Sequence, residues 1–213
     1  MKVELINITP QPIKTIFDSY RICYAKGGYN SIGSRSPEEM EKFIKPLMAE
    51  NHTSPLEHVA VTFYIEGISR ACQNQLVRHR TGKYNIQSQR YVSGENFEFV
   101  TPRAIENNPQ ALEVFNNYIE LTKNTYSNFI DLGIKKEDAR SILPNATTCN
   151  LIVTFDINNF RKFLAQRLCV HAQEEIRTLA SVMCMEVKKY IPFVDYKVMN
   201  CGRICNQCIG KVV

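Results

Sequence analysis

Apolar residues follow two spacings along this chain: every second residue, which is typical of strands, and every third or fourth residue, which is typical of helices. In residues 58–66, Val59, Val61, Phe63 and Ile65 alternate with more polar positions, which is the pattern of a half-buried strand. Patterns of both kinds predict strands at about 2–8, 58–66, 96–100 and 149–155, and helices at about 12–25, 36–50, 70–79, 108–132, 135–142, 158–168 and 171–190. Because the strands are scattered among longer helices, we predict an α+β fold with a mixed sheet covered by helices.

Helix boundaries have local signals. Ser36 can cap the second helix, with Pro37 at its first position and Glu39 completing a capping box. Ser69 is an N-cap candidate for the helix that follows the 58–66 strand, and Gly133 ends the longest helix. The polar segment after that third helix, residues 81–91, is predicted to be a loop.

Length and composition indicate one folded unit. The 213 residues, 44% hydrophobic and 22% charged, are typical of a globular domain, without repeats or linkers. We therefore predict a single domain over 1–213, with a cysteine-containing tail of unknown role at about 197–213. No apolar run approaches a membrane span, and Glu4 and Asn7 interrupt the start where a signal peptide needs an apolar core. We expect a cytoplasmic protein with no membrane partner.

Positive charge is concentrated at residues 78–90. The net charge is only +5, yet Arg78, His79, Arg80 and Arg90 bracket a polar loop. Arginine forks and hydroxyl or amide donors suit phosphate recognition, although cations at a helix end also interact favourably with the helix dipole without any ligand. Predicted helical spacing places Gln75, Arg78 and His79 on one face leading into the loop, which favours a binding role.

Four ordered segments resemble the flavin-dependent thymidylate synthase family. They are HTSPLEH (52–58), RHRTGKYNIQSQRY (78–91, with Gln75 three residues before it), EDARSILPNA (137–146) and RLCVHAQEEIR (167–177). The resemblance implies the α+β fold of that family, with a largely antiparallel sheet. It also implies a homotetramer whose active sites are shared between subunits.

Site residues are implied by the same resemblance. It assigns FAD contacts to His52, Ser54, Glu57, Arg78, His79, Arg80, Thr81, Asn158 and His171. It assigns dUMP contacts to Gln75, Gln87, Ser88, Gln89, Arg90, Arg140 and Arg167, with Arg167 also stabilising charge on the pyrimidine as the catalytic residue. The implied reaction is methylation of dUMP to dTMP, with methylenetetrahydrofolate as carbon donor and NADPH as reductant of FAD. No metal is expected at this site.

The chain departs from the family pattern at several positions. Lys83 and Glu174 stand where the family usually has Ser and often has Trp. Upstream of Arg167 the family commonly has Asn, Arg and Asn at the positions that are here Asp156, Asn158 and Lys162. We therefore expect flavin contacts from this helix to differ from the family pattern.

Two other functions fit parts of the sequence. A nucleic-acid-binding module could use the 70–79 helix and its basic loop, but Glu57, Glu66 and Glu95 and the modest net charge disfavour it. A cysteine nucleophile could pair Cys169 with His171, but an i, i+2 spacing would place them on different faces of a helix.

The eight cysteines, in a reducing compartment, are expected to be buried, reduced thiols. Cys201, Cys205 and Cys208 have the C-x3-C-x2-C spacing of radical S-adenosylmethionine enzymes, but only five residues follow them. A zinc site would need a fourth ligand. No cysteine is expected to be essential for the chemical step.

Overall fold

A computed structural model describes residues 1–92 and 98–198 of the chain. The strands are β1 Lys2–Ile8, β2 Ala60–Ser69, β3 Lys83–Ile86 and β4 Thr148–Asp156. The helices are α1 Pro12–Arg21, α2 Pro37–Ala49, α3 Arg70–Leu76, α4 Arg103–Glu106, α5 Pro109–Asp131, α6 Lys136–Ala139, α7 Ile157–Arg167 and α8 Glu174–Lys188. Short 3₁₀ helices include Ser54–His58 and Arg140–Ile142. No helix in the described part of the chain is long and apolar enough to cross a membrane.

The four strands form one sheet in the order β1-β2-β4-β3. The pairing of β2 with β4 is antiparallel, because the hydroxyls of Thr62 and Thr154 lie 2.9 Å apart while Gly67 N–H donates to Asn150 Oδ1 at 3.1 Å. Antiparallel strands among longer helices confirm the α+β prediction. The predicted inward face of β2 is also confirmed, since Val61, Phe63 and Ile65 have no exposed surface.

The described residues form two compact units. Unit 1 comprises Met1–Lys2, Ile65–Arg78 and Asn85–Leu151, and unit 2 comprises Val3–Tyr64, His79–Tyr84 and the chain from Ile152 onward. In unit 1, α3 begins where the backbone N–H groups of Arg70 and Ala71 donate to Thr147 and Asn145 carbonyls. The single-domain organisation over 1–213 stays a prediction.

Aromatic packing dominates the core of unit 2. Phe155 stacks on Phe163 with ring centroids 5.6 Å apart, and Phe160 lies 5.7 Å from Phe63. All four rings are fully buried. Phe160 and Phe163 belong to α7, which ends at Arg167, the residue that the family resemblance assigns as catalytic.

Several helix boundaries are those that the sequence predicted. Ser36 and Glu39 form the full capping box of α2, and Ser69 caps α3 by accepting from Cys72 N–H at 3.0 Å. Asn108 caps α5, and Gly133 follows that helix with φ +80°, a conformation that favours glycine. These signals are local, which is why sequence alone located them.

Other predicted boundaries were wrong. The third helix ends at Leu76 instead of residue 79, so Gln75, Arg78 and His79 do not share a helix face. The predicted 81–91 loop contains β3, in which Tyr84 and Ile86 are less exposed than Lys83 and Asn85. The predicted 12–25 helix is α-helical only to Arg21 and continues as a short 3₁₀ helix. Of the predicted 96–100 strand, residues 96 and 97 lie outside the described residues, and Phe99 forms an isolated bridge to Thr147.

Candidate active site

A cavity of about 420 Å³ in unit 2 is lined by residues from the HTSPLEH segment, α1 and α7. The lining includes the predicted flavin residues His52, Ser54, Glu57 and Asn158, together with Tyr20, Cys23, Tyr24, Asn51, Thr53 and Pro55. Four of the nine residues assigned to FAD by the resemblance therefore face one cavity. Its mixture of tyrosine rings and polar groups is compatible with a heteroaromatic ligand that has a polar edge.

Hydrogen bonds fix the polar side of this cavity. Asn158, which is almost completely buried, donates from Nδ2 to Glu57 Oε1 at 2.8 Å. The Tyr20 hydroxyl donates to the His52 carbonyl, and burial raises the pKa of Tyr20 to about 12. Asp156, one of the departures from the family pattern, caps α7 by accepting from Asn159 N–H at 2.8 Å. Its carboxylate therefore has a structural partner within α7.

His79 and Arg167 meet in unit 2, although they are 88 positions apart in the sequence. Arg167, the last residue of α7, donates from Nε to His79 Nε2 at 2.9 Å. The imidazole also packs edge-on against Phe163, with centroids 5.0 Å apart and an interplanar angle of 85°. Burial, and then the Arg167 charge, lower the pKa of His79 to about 4. The imidazole is therefore neutral at pH 7.

A tight turn after His79 holds its backbone. The His79 carbonyl accepts from Gly82 N–H at 2.9 Å and from the Tyr84 hydroxyl at 2.8 Å. Burial raises the pKa of Tyr84, whose ring packs edge-on against Phe155 at 6.1 Å. A Cβ at position 82 would lie 2.7 Å from the Phe155 ring, so only glycine fits this turn without displacing its neighbours.

Two arginines of unit 1 that the resemblance assigns to dUMP, Arg90 and Arg140, both bond Glu137. Arg90 contacts Glu137 Oε2 through both Nε and Nη2, each at 3.0 Å. Arg140 donates from Nε to the Glu137 backbone carbonyl at 3.0 Å. Glu137 is thus a partner of both arginines, through its carboxylate for Arg90 and through its backbone carbonyl for Arg140, three residues away. Ser88 lies two residues before Arg90, and its Oγ accepts from Arg90 N–H at 3.2 Å.

Gln87 is bound to β4 by both its backbone and its side chain. Its N–H donates to the Asn150 carbonyl at 2.8 Å, and its Oε1 accepts from Asn150 N–H at 3.2 Å. Its own carbonyl accepts from Arg70 Nη2 at 2.9 Å. These bonds anchor the start of the Ser88–Arg90 segment.

The remaining predicted residues occupy less enclosed positions. Arg78, Arg80 and Thr81 are exposed on the chain between α3 and β3, Gln75 lies on α3, and Gln89 is half-buried beside Arg90. His171 and Cys169 both lie between α7 and α8, outside either helix, so the helix-face argument against their pairing does not apply.

Sequence reasoning missed several contributors to these sites. Tyr20, Tyr24 and Phe163 fell only within predicted helices, and Tyr84 within a predicted loop. Glu137 lies in a motif that resembles the family, which was a usable signal, whereas Arg70 had none beyond its position after the Ser69 cap.

The described cysteines, Cys23, Cys72, Cys149, Cys169 and Cys184, form no disulfides with one another. Cys72, Cys149 and Cys184 are buried as predicted, and burial raises the pKa of Cys184 to about 11, whereas Cys23 is exposed. Cys201, Cys205 and Cys208 lie outside the described residues. Within residues 1–92 and 98–198, no group of three or more His, Cys, Asp or Glu side chains is placed to hold a metal ion.

Known proteins resemble this chain over most of its length. Residues 4–193 match the family described as Thymidylate synthase complementing protein, Thy1. A flavin-dependent thymidylate synthase of Clostridium tetani is 36% identical over 209 residues, covering 90% of this chain and 84% of the relative. Proteins of the same name from Geobacter sulfurreducens and Pyrococcus furiosus are each 38% identical, covering 91% and 89% of this chain and 85% and 80% of the relatives.

The fold has a solved counterpart. A UMP/dUMP methylase, PolB of Streptomyces cacaoi, bound with 5-Br dUMP, superposes with a TM-score of 0.78 at 24% identity, covering 92% of this chain and 93% of that one. The matches define an enzyme of the methyltransferase class. The chain belongs to the flavin-dependent thymidylate synthase family.

Proposed function

We propose that this protein converts dUMP to dTMP, taking a one-carbon unit from methylenetetrahydrofolate and reducing equivalents from NADPH through FAD. In the balanced reaction, C5 of the pyrimidine loses its proton and gains a methyl group. Methylenetetrahydrofolate leaves as tetrahydrofolate, NADPH leaves as NADP⁺ after giving up a hydride, and one proton is taken up overall. Beyond family membership, the observation that supports the proposal is that Arg90 and Arg140, from distant segments, both bond Glu137, one at its carboxylate and the other at its backbone carbonyl.

The dUMP phosphate is assigned to the arginines of unit 1. Arg90 and Arg140 supply charge-assisted donors, each worth about 1.5–3 kcal/mol, and Ser88 supplies a hydroxyl. The Arg90–Glu137 ion pair is partly exposed and therefore weak, so a phosphate dianion can replace the carboxylate as the partner of Arg90. Gln75, Gln87 and Gln89 complete the nucleotide set, and Gln87 acts chiefly by anchoring Ser88.

The flavin is assigned to the cavity lined by His52, Ser54, Glu57 and Asn158. Its tyrosine rings suit a heteroaromatic face, and the Glu57–Asn158 pair offers both an acceptor and a donor to a polar ring edge. Arg78, Arg80, Thr81 and His171 would contact the phosphates and ribose. When bound, the flavin supplies the hydride that the protein's side chains cannot provide.

Arg167 is assigned to the pyrimidine. Its guanidinium stays protonated throughout the reaction and would stabilise negative charge that develops on the uracil ring as the pyrimidine is activated. The chain itself binds and orients the reactants, while bond formation occurs between the substrates.

We also propose that the enzyme is a single-domain cytoplasmic homotetramer, with each active site assembled from several subunits. This arrangement follows from the family resemblance. It allows the nucleotide residues of one copy to complete the flavin site of another. Neither a nucleic acid nor a membrane is required as a partner.

The experiment is a reconstituted assay with purified full-length protein, FAD, NADPH, methylenetetrahydrofolate and dUMP, in which dTMP is measured by chromatography. We expect dTMP only when all components are present, and flavin bleaching by NADPH under anaerobic conditions. UMP, offered in place of dUMP, tests the choice of sugar.

Matched arginine variants test the site assignment. Arg90→Ala should raise the KM for dUMP, while Arg35→Ala, which removes another exposed arginine, should not. Protein that is folded and flavin-loaded but makes no dTMP would refute the proposed reaction. Strong, salt-sensitive binding to nucleic acid together with failure to take up FAD would favour the nucleic-acid-binding alternative instead.

A further inference from the structure

The bond between Arg167 and His79 has a defined direction. Arg167 Nε–H can only donate, so His79 Nε2, 2.9 Å away, must be the acceptor. An imidazole accepts at Nε2 only when that nitrogen carries no proton, which places the ring proton on Nδ1. His79 is therefore present as one neutral tautomer, selected by its contact with Arg167.

We propose that His79 is the positioning residue of Arg167: its neutral Nε2 orients the guanidinium toward the pyrimidine. The inference rests on the proposed function and refines it, since the resemblance assigns His79 to FAD. The bond uses Nε–H, the donor nearest the aliphatic stem, and so fixes the plane in which the terminal NH₂ groups lie. A planar fork held in one orientation loses less conformational entropy when it binds a ring edge.

A neutral acceptor suits this task better than a carboxylate. A carboxylate bound to the guanidinium would also orient it, but would cancel much of the positive charge that stabilises a developing pyrimidine anion. An imidazole with Nε2 unprotonated orients Arg167 without adding a negative charge of its own. Burial and the charge of Arg167 both keep His79 in that state, as its lowered pKa indicates.

His79 is itself held from three directions. Its ring packs edge-on against Phe163, and its carbonyl accepts from both Gly82 N–H and the Tyr84 hydroxyl. Phe163 in turn stacks on Phe155, which the Tyr84 ring also contacts. The acceptor is thus tied to the aromatic core of unit 2 by its side chain and its backbone, which is the support that a positioning residue needs.

Two substitutions of His79 distinguish the contribution of its Nε2 acceptor from that of its aromatic ring. His79→Phe keeps an aromatic ring against Phe163 but has no acceptor, whereas His79→Gln places an amide oxygen close to the position of Nε2. We expect His79→Phe to lower kcat about 100-fold, the cost of misplacing a catalytic group. His79→Gln should recover a substantial part of that loss. Both variants should retain flavin absorbance, and the equivalent substitution of exposed His58, His58→Phe, should keep wild-type kcat.

A double-mutant cycle tests whether His79 acts through Arg167. In an Arg167→Met background, adding His79→Phe should lower kcat by less than about threefold, because the group that His79 orients is already gone. Fully additive losses would overturn the proposal. So would loss of flavin from both His79 variants, which would restore the FAD assignment, and so would equal kcat in His79→Phe and wild type.

NMR of the His79 ring nitrogens tests the Arg167–His79 bond without requiring catalytic activity. In ¹⁵N-labelled protein at pH 7, the His79 resonances, assigned by their loss in His79→Gln, should show protonated Nδ1 and unprotonated Nε2. Arg167→Met should shift the Nε2 signal. A protonated Nε2, or a signal unaffected by Arg167→Met, would refute the pairing. If the wild-type protein made no dTMP while these NMR results held, the proposed reaction alone would fail.

Discussion

The two arginine sites of this protein are organised by different forces. Arg167 is held by the neutral ring of His79, which lies against the aromatic core of unit 2. Arg90 is held by the carboxylate of Glu137, and the two side chains are 55% and 39% exposed. Packing fixes the first arginine whether or not a ligand is present, whereas charge in contact with water holds the second only weakly. We therefore expect the Arg167 site to be sensitive to core mutations and the Arg90 site to salt and ligand.

Phe163→Ala should have the largest effect, because it removes the ring under His79. Truncation of a fully buried phenylalanine costs about 3–5 kcal/mol in the free energy of unfolding. Urea unfolding measures this loss, with Phe129→Ala, at a half-buried position of α5, as the comparison. A loss at Phe163 no larger than that at Phe129 would contradict the view that packing organises the His79 region.

Arg90→Ala should weaken dUMP binding and leave folding nearly unchanged. Loss of one charge-assisted phosphate contact, about 1.5–3 kcal/mol, corresponds to a roughly 10- to 150-fold rise in KM. The free energy of unfolding should change by less than about 0.5 kcal/mol, since the ion pair with Glu137 is exposed. Equal losses of dUMP affinity, FAD affinity and stability would instead indicate general misfolding. Raising the salt concentration should weaken dUMP binding by wild type more than by the variant.

Tyr84→Phe should have a smaller effect, since it removes one hydrogen bond and keeps the ring. The His79 carbonyl loses its 2.8 Å bond from the Tyr84 hydroxyl but keeps the bond from Gly82 N–H. The expected loss is about 0.5–1.5 kcal/mol in the free energy of unfolding. Thermal or urea unfolding checks this value, and a loss above about 3 kcal/mol would mean that the hydroxyl has a further structural role.

The pH dependence of stability should change as well. The pKa of His79 is about 4 in the folded protein, below its ordinary value of 6.5. Between these values the unfolded chain binds more protons, so this residue makes the free energy of unfolding fall as the pH is lowered from 6.5 to 4. Replacing it in His79→Phe should flatten the curve in that window. Urea unfolding at pH 7, 6 and 5 measures how the free energy of unfolding changes with pH. If this pH dependence were the same in His79→Phe and wild type, the His79 ring would be solvated rather than buried.

The sequence predicted features that depend on neighbouring residues. The alternation of Val61, Phe63 and Ile65 identified the buried face of β2, and Ser36 with Glu39 identified the start of α2. The family resemblance added the segments that carry the arginines. In each case a short stretch of sequence contains the whole signal.

Features that depend on distant residues were not predictable. β3 is only four residues long and pairs with β4 more than sixty positions later, so its alternation of Tyr84 and Ile86 was too short to outweigh the polar residues around it. The Arg90–Glu137 and Arg167–His79 contacts span 47 and 88 positions, a distance at which local patterns carry no information.

The bonds between Gln87 and Asn150 have a consequence for amide hydrogen exchange. Gln87 N–H is bound to a backbone carbonyl, whereas Asn150 N–H is bound to the Gln87 side chain. The Gln87 N–H is therefore protected by a backbone bond, whereas the Asn150 N–H is protected by the Gln87 side chain. In Gln87→Met, Asn150 should exchange its amide hydrogen rapidly while residue 87 exchanges as slowly as before, so this pair of amides reports separately on a side chain and on the strand that carries it.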